Sequence, residues 1–73
     1  MEILIQQKLK EILFKIRNRR LEKEFTQTYV AEKLGIGQVA YHKLEWNKTK
    51  LNLAVLLKLA IILEVEATYF LKN

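Results

Sequence analysis

Residues 33–45 read KLGIGQVAYHKLE and contain both glycines of the 73-residue chain, Gly35 and Gly37. The chain has no proline, so these two positions are its strongest conformational breaks. Gly35 directly follows Leu34, the last residue of an apolar helical pattern. Helices commonly end at such a residue in the left-handed conformation, which glycine adopts without a Cβ penalty. This stretch predicts two short helices joined by one tight turn, the second starting just after Gly37 and running to about Trp46.

The apolar spacing is helical on both sides of this turn. A single face of a first helix recurs in steps of four, three and four residues at Ile5, Leu9, Ile12 and Ile16. Five helices are predicted. The first covers about 4–22, the second runs from its N-cap Thr26 to Leu34, and the third runs from just after Gly37 to about Trp46. The fourth covers about 53–63 with Asn52 as its N-cap, and the fifth covers about 67–71. No strand pattern occurs in the sequence. We therefore predict an all-α domain of five helices spanning 1–73, in which residues 1–12 extend the first helix.

Packing expectations follow from the same spacing. In the second helix, Val30, Ala31 and Leu34 are expected to form the buried face, and the small alanine allows the next helix to approach closely. In the third helix, Tyr41 and Leu44 point inward, and Ile36 is expected to fill the turn.

Composition narrows the function classes. The formal net charge is +5 and the isoelectric point is about 9.6, which favours polyanionic partners. Without cysteine, disulfides and thiolate metal sites are excluded, and a single histidine cannot build a zinc site alone. We expect no cofactor, no small-molecule ligand, no membrane span and no enzymatic activity, and we expect a cytoplasmic location. The basic residues cluster at 8–20 and 43–50.

The stretch FTQTYVAEKLGIGQVAYHKLEWNKTKLNLAVLLKLAIILEVEATYFL, residues 25–71, resembles the DNA-binding domain of the lambda-repressor-like, XRE-type helix-turn-helix family. The motifs that carry the resemblance are TQ at 26–27, VAEKLGI through the turn, KLE at 43–45 and LLKLA with LEV in the fourth helix. The resemblance covers about residues 16–71. It implies a helix-turn-helix at the second and third helices, with the third helix in the DNA major groove.

The resemblance also implies which residues touch DNA. By position, the base-reading residues are Gln38, Val39, His42 and Lys43. Glutamine can bond adenine N6 and N7, valine can touch a thymine methyl, and lysine can reach guanine or a phosphate. Histidine can donate to a base acceptor or a phosphate. The implied phosphate-binding residues are Thr26, Gln27, Asn47 through its backbone N–H, Lys48 and Lys50.

Three further side chains have roles that the resemblance implies or that the sequence leaves open. In this family an arginine late in the first helix often pairs with the glutamate that ends the third, which here are Arg20 and Glu45. Such a pair would fix the third helix to the first and would not itself contact bases. Trp46 either covers the edge of the core or stands beside the DNA.

The sequence departs from the family pattern at several positions. Gly37 stands where a capping serine or threonine is usual. Glu24 and Asn47 stand where glycine is common, and because glutamate tolerates a left-handed conformation poorly, the loop after the first helix is expected to be reshaped. Arg19 continues the apolar face of the first helix, so either its stem runs along the core or the helix turns there.

The fourth helix carries more apolar residues than one buried face needs. The surplus predicts a homodimer surface through Ala54, Val55, Ile61 and Ile62, together with Ile3, Leu4, Leu13 and Phe14 of the N-terminal segment. The predicted function is a sequence-specific double-stranded DNA-binding transcriptional regulator, with repression favoured. An alternative is the antitoxin of a toxin–antitoxin module, whose toxin would cover the same surface. A third is a helical interaction module without DNA binding.

Overall fold

The computed structural model describes residues 1–72 of the chain. The helices are α1 Glu2–Glu22, α2 Gln27–Leu34, α3 Gln38–Glu45, α4 Leu53–Ile62 and α5 Thr68–Leu71. No strand occurs in these residues, and the prediction of a five-helix all-α fold is confirmed. The N-caps are those that the sequence indicates, because the Thr26 and Asn52 side chains accept hydrogen bonds from the backbone N–H groups of Tyr29 and Val55.

The core lies between the helices, with α2 packed against α3 and α4 and with α1 packed against α3 and α5. Ile16, Val30, Tyr41, Leu59 and Phe70 are fully buried in it. One expectation about the core is wrong. Leu13 belongs to the core, so it cannot form part of a self-association surface. Ile36, which was expected to fill the turn, is 39% exposed.

Helix α1 extends beyond the body of the domain. Its apolar face is buried at Ile12 and Ile16, but Leu9 is only half-buried and Ile5 is 47% exposed. The first two turns of α1 therefore present apolar residues that the rest of residues 1–72 do not cover.

The turn between α2 and α3 is fixed by backbone geometry. Gly35 adopts φ +78°, ψ +28°, the left-handed conformation predicted for it. The N–H groups of Gly35 and Ile36 donate to the carbonyl oxygens of Glu32 and Ala31 over 3.0 Å, which closes the end of α2. Gly37 is the N-cap of α3 in an extended conformation and supplies no side-chain bond.

The loops that follow α1 and α3 use the same left-handed geometry without glycine. Glu24 and Asn47 both have φ +58°. The expectation of a reshaped loop at Glu24 is therefore wrong. The N–H groups of Glu24 and Phe25 donate to the carbonyl oxygens of Leu21 and Arg20, so the end of α1 closes in the usual way despite the unfavourable residue.

Arg19 joins α1 to the end of α4. Its Nε donates to the carbonyl oxygen of Leu63 over 2.9 Å, and its Nη2 lies 3.4 Å from that of Glu64. These carbonyls belong to the α4 terminus, which lacks helical partners for them. The arginine stem runs along the core while α1 continues without interruption, which resolves the choice that the sequence left open.

Candidate nucleic-acid interface

One face of α3 is exposed along its whole length. Tyr41 and Leu44 turn inward, and the opposite side presents the four predicted base-reading residues. All four side chains are exposed, namely Gln38, Val39, His42 and Lys43. Helical spacing places them in adjacent turns on one side, so they form a continuous row.

Gln27 connects this row to the core. Its Oε1 accepts a hydrogen bond from Gln38 Nε2 over 2.7 Å and lies 3.3 Å from His42 Nδ1. Its Nε2 donates to Glu45 Oε1 over 3.2 Å. Because a carboxylate only accepts, the orientation of the Gln27 amide is fixed, and its oxygen faces the α3 row.

This arrangement determines which groups of the row stay available. Gln38 uses one N–H of its amide on Gln27 and keeps the second N–H and its oxygen. The Gln27 oxygen can only accept, so His42 carries a proton on Nδ1 when it bonds there. In the neutral ring the outer nitrogen, Nε2, is then an acceptor. Donation from Nε2 to a base or phosphate, as the sequence predicts, requires the imidazolium form.

Glu45 is the centre of a buried polar network below the row. Its side chain is fully buried and receives four hydrogen bonds, two of them from Arg20, whose Nε and Nη2 lie 2.7 and 3.2 Å from its oxygens. The Tyr41 hydroxyl donates over 2.5 Å and Gln27 supplies the fourth bond. Arg20 also donates to the carbonyl oxygen of Phe25 over 2.9 Å, so α1, α3 and the loop between α1 and α2 are joined at one point.

The electrostatics of this network keep its members in single protonation states. Burial disfavours the Glu45 anion, but the hydrogen bonds from Arg20, Tyr41 and Gln27 outweigh it and hold the pKa of Glu45 below its ordinary value. The hydrogen bond to Glu45 raises the pKa of Arg20. Burial, together with the bond to Glu45, raises the pKa of the Tyr41 hydroxyl, so it stays protonated and donates.

The predicted phosphate-binding residues border the row. Thr26 and Gln27 lie at the N-terminus of α2, whose first N–H groups have no partner within the helix. Lys48 and Lys50 are exposed after α3. Asn47 differs from its expected role, because its backbone N–H donates to the carbonyl oxygen of Leu44 over 3.2 Å and is not free for a phosphate. Its side-chain amide instead lies 3.4 Å from Gln6 Oε1 of α1.

Trp46 extends the exposed face of α3 by one turn. It follows His42 by four residues, their ring centroids are 6.3 Å apart, and the indole is 51% exposed. The Arg17 guanidinium lies 4.4 Å from the Trp46 ring centroid and 5.6 Å from that of Phe14. Arg17 was not among the predicted site residues. The available signal was a basic segment, and nothing local indicated which of its arginines would lie beside α3.

A cavity of about 840 Å³ opens beside this stack, between α1 and the end of α3. Its lining includes Leu13, Phe14, Arg17 and Trp46.

No group of side chains in residues 1–72 has the makeup of a metal site. No helix in the same part of the chain is long and apolar enough to cross a membrane.

The predicted dimer residues separate into two pairs. Ala54 and Ile61 are exposed, Ile61 by 79%, whereas Val55 and Ile62 are half-buried against the core. Leu53 and Leu57 are exposed and were not predicted. Leu53, Leu57 and Ile61 follow one another in steps of four residues, and this spacing was the signal that could have identified the two leucines.

Comparison with known proteins gave one match. A family model described as helix-turn-helix matches residues 16–70, which include the end of α1 and nearly all of the remaining helices. No curated protein and no solved structure shows significant similarity to the chain.

Proposed function

The chain belongs to the lambda-repressor-like, XRE-type helix-turn-helix family of DNA-binding regulators, and on that premise we propose that it recognises a specific double-stranded DNA sequence and represses transcription there. Helix α3 enters the major groove and α2 crosses the backbone. The observation that carries the proposal is the exposed row on α3, in which Gln38 is oriented by Gln27 and, through it, by the buried Glu45.

Gln38 reads adenine. The bond to Gln27 leaves one amide N–H and the amide oxygen of Gln38 for a further partner, and the side chain is exposed. An adenine presents an acceptor at N7 and a donor at N6 in the major groove, which matches these two groups. Because Gln27 holds the amide before DNA arrives, less side-chain entropy is lost on binding.

The rest of the row supplies contacts of different kinds. Val39 contacts a thymine methyl, and Lys43 reaches guanine O6 and N7 or a phosphate. His42 accepts a base N–H at Nε2 in its neutral form and donates to a phosphate as imidazolium. Backbone contacts come from the α2 N-terminus at Thr26 and Gln27 and from Lys48 and Lys50. The net charge of +5 favours association with DNA.

A homodimer fits this proposal. Exposed apolar residues occur on the first turns of α1 and along α4, where Leu53, Leu57 and Ile61 are separated by one helical turn each. Two-fold dimers of such domains bind half-sites about 34 Å apart. Sedimentation equilibrium at high micromolar concentration should detect the dimer, and a purely monomeric protein there would contradict it.

The same apolar surface supports a second candidate function. In an antitoxin it would be covered by a toxin protein, while the α3 row would regulate the operon of the pair. A small toxin-like reading frame next to the gene would favour this function. Copurification of its product with the chain, lost on exchanging Leu57 for a charged residue, would establish it.

The test of base reading is a matched pair of glutamine substitutions. A binding site is first selected from a random duplex library, and affinities are then measured for that site and its single-base variants. Gln38→Ala should cost about 1–3 kcal/mol on the selected site and abolish the preference at one base position. Gln7→Ala, an exposed glutamine of α1, should leave both unchanged. Equal weakening on all sequences would show that Gln38 reads no base.

A further inference from the structure

The three arginines of the sequence, all in α1, have different surroundings. Arg19 binds carbonyl oxygens at the end of α4, and Arg20 binds Glu45. Arg17 makes no hydrogen bond or ion pair within residues 1–72, and its guanidinium lies over two aromatic rings, those of Trp46 and Phe14. Its charge is therefore not neutralised by a carboxylate of the described chain.

Stacking leaves the hydrogen-bonding groups of Arg17 available. A guanidinium on an aromatic face uses its flat surface, while its N–H donors point outward in its own plane. Those donors match two oxygens of a phosphate in a bidentate arrangement. The half-buried side chain is also restrained by two rings, so its order does not depend on a ligand.

The position of the stack relative to α3 indicates which polyanion it meets. Trp46 follows Val39, His42 and Lys43 by seven, four and three residues, so it lies on the exposed face of α3. Helix α3 has eight residues and is about 12 Å long, close to the width of the major groove. If the N-terminal half of α3 reads bases, its C-terminal end comes to the wall of the groove, where the phosphates are.

We propose that Arg17 and Trp46 form a phosphate clamp, contributed by α1 and the end of α3, that binds the DNA backbone beyond the bases read by Gln38. Arg17 donates to the phosphate, and Trp46 holds the guanidinium and covers the adjoining sugar. The inference rests on the proposed function. It adds to the interface a residue of α1 that lies outside the helix-turn-helix.

Salt titration with random-sequence duplex DNA tests Arg17 directly. For each variant the logarithm of the association constant is measured against the logarithm of salt concentration, after circular dichroism and urea unfolding have verified the fold. Arg17→Gln should weaken binding about tenfold at physiological salt and make the slope less negative by roughly 0.9, the value for one phosphate. Lys58→Gln removes one charge from the exposed side of α4 and should leave the slope unchanged.

The outcomes separate the two proposals. If the wild-type protein shows no salt-dependent affinity, DNA binding itself fails. If the wild type binds with a steep slope and Arg17→Gln keeps that slope, only the clamp is overturned. Arg17→Lys provides a second test, because it keeps the positive charge but lacks the planar guanidinium with its paired N–H donors. It should bind more weakly than wild type with a slope close to it, and full affinity would contradict bidentate binding.

Trp46 is tested by a double-mutant cycle. Trp46→Ala removes the platform without changing charge and should weaken binding about two- to fivefold, the usual range for an exposed cation–π contact, whereas Trp46→Phe should weaken it less. In the Arg17→Gln background, Trp46→Ala should have a smaller effect than in the wild type. Fully independent effects would show that the two residues do not act as one clamp.

Discussion

Replacement of Glu45 by glutamine keeps the shape of the side chain but removes the acceptor at the centre of the buried network. Each carboxylate oxygen accepts two hydrogen bonds. Oε1 binds Arg20 Nη2 and Gln27 Nε2, both at 3.2 Å, and Oε2 binds Arg20 Nε at 2.7 Å and the Tyr41 hydroxyl at 2.5 Å. Whichever oxygen is replaced by the amide nitrogen of glutamine, the two groups that donated to that oxygen then face an N–H donor. The buried Arg20 charge also loses its counterion.

Breaking a buried ion pair by removing one partner costs about 3–5 kcal/mol. At roughly 0.05–0.15 kcal/mol per residue, a domain of 73 residues is stable by about 4–11 kcal/mol in total. The substitution should therefore remove about a quarter or more of the stability. With an m-value near 1 kcal/mol per molar urea for a small protein, the unfolding midpoint should fall by about 3 M or the chain should be unfolded without denaturant.

Urea unfolding followed by far-ultraviolet circular dichroism measures this shift. Glu64→Gln is the matched control, because Glu64 also forms an ion pair, with Lys23 Nζ at 2.6 Å, but its side chain is 65% exposed. That variant should unfold near the wild-type midpoint, since exposed pairs contribute little. A Glu45→Gln midpoint within experimental error of wild type would refute the assignment of Glu45 as the residue that fixes α3 to α1.

Two further predictions concern acid and the turn. Because the folded pKa of Glu45 lies below its ordinary value of 4.5, its contribution to stability is complete above that value and is lost as the pH falls through the folded pKa. The difference in unfolding free energy between wild type and Glu45→Gln should therefore shrink in acid, and a constant difference would contradict the pKa assignment. Gly35→Ala should destabilise by about 1 kcal/mol, because an alanine there meets no neighbour within 4 Å but must hold φ +78°. Gly37→Ser should instead raise the urea midpoint by adding a capping hydroxyl to α3, and midpoints that move in the same direction would show that the turn does not distinguish the two glycines.

The helices could be predicted closely because their signals are local. The apolar period, the caps at Thr26 and Asn52 and the left-handed Gly35 each act within a few residues. The misses concern burial and loop geometry. Leu13 was assigned to an exposed surface although it is buried, since burial depends on which distant element covers a position and not on the residue type. The loop at Glu24 was expected to be reshaped, but glutamate adopts the left-handed conformation there.

The all-α fold, the helix-turn-helix and the row of exposed residues on α3 follow from the amino-acid sequence, because helical period alone specifies which side chains share a face. How each side chain is used depends on the packing of the helices. Gln27 links residues 38 and 42 to residue 45, Arg19 binds carbonyls more than forty positions away, and Arg17 meets Trp46 only because α1 passes the end of α3. Such contacts join residues far apart in the chain, so no local pattern records them. The three arginines of α1 show this most clearly, since one basic segment supplies a helix cap, a buried ion pair and a cation that has no carboxylate partner within residues 1–72.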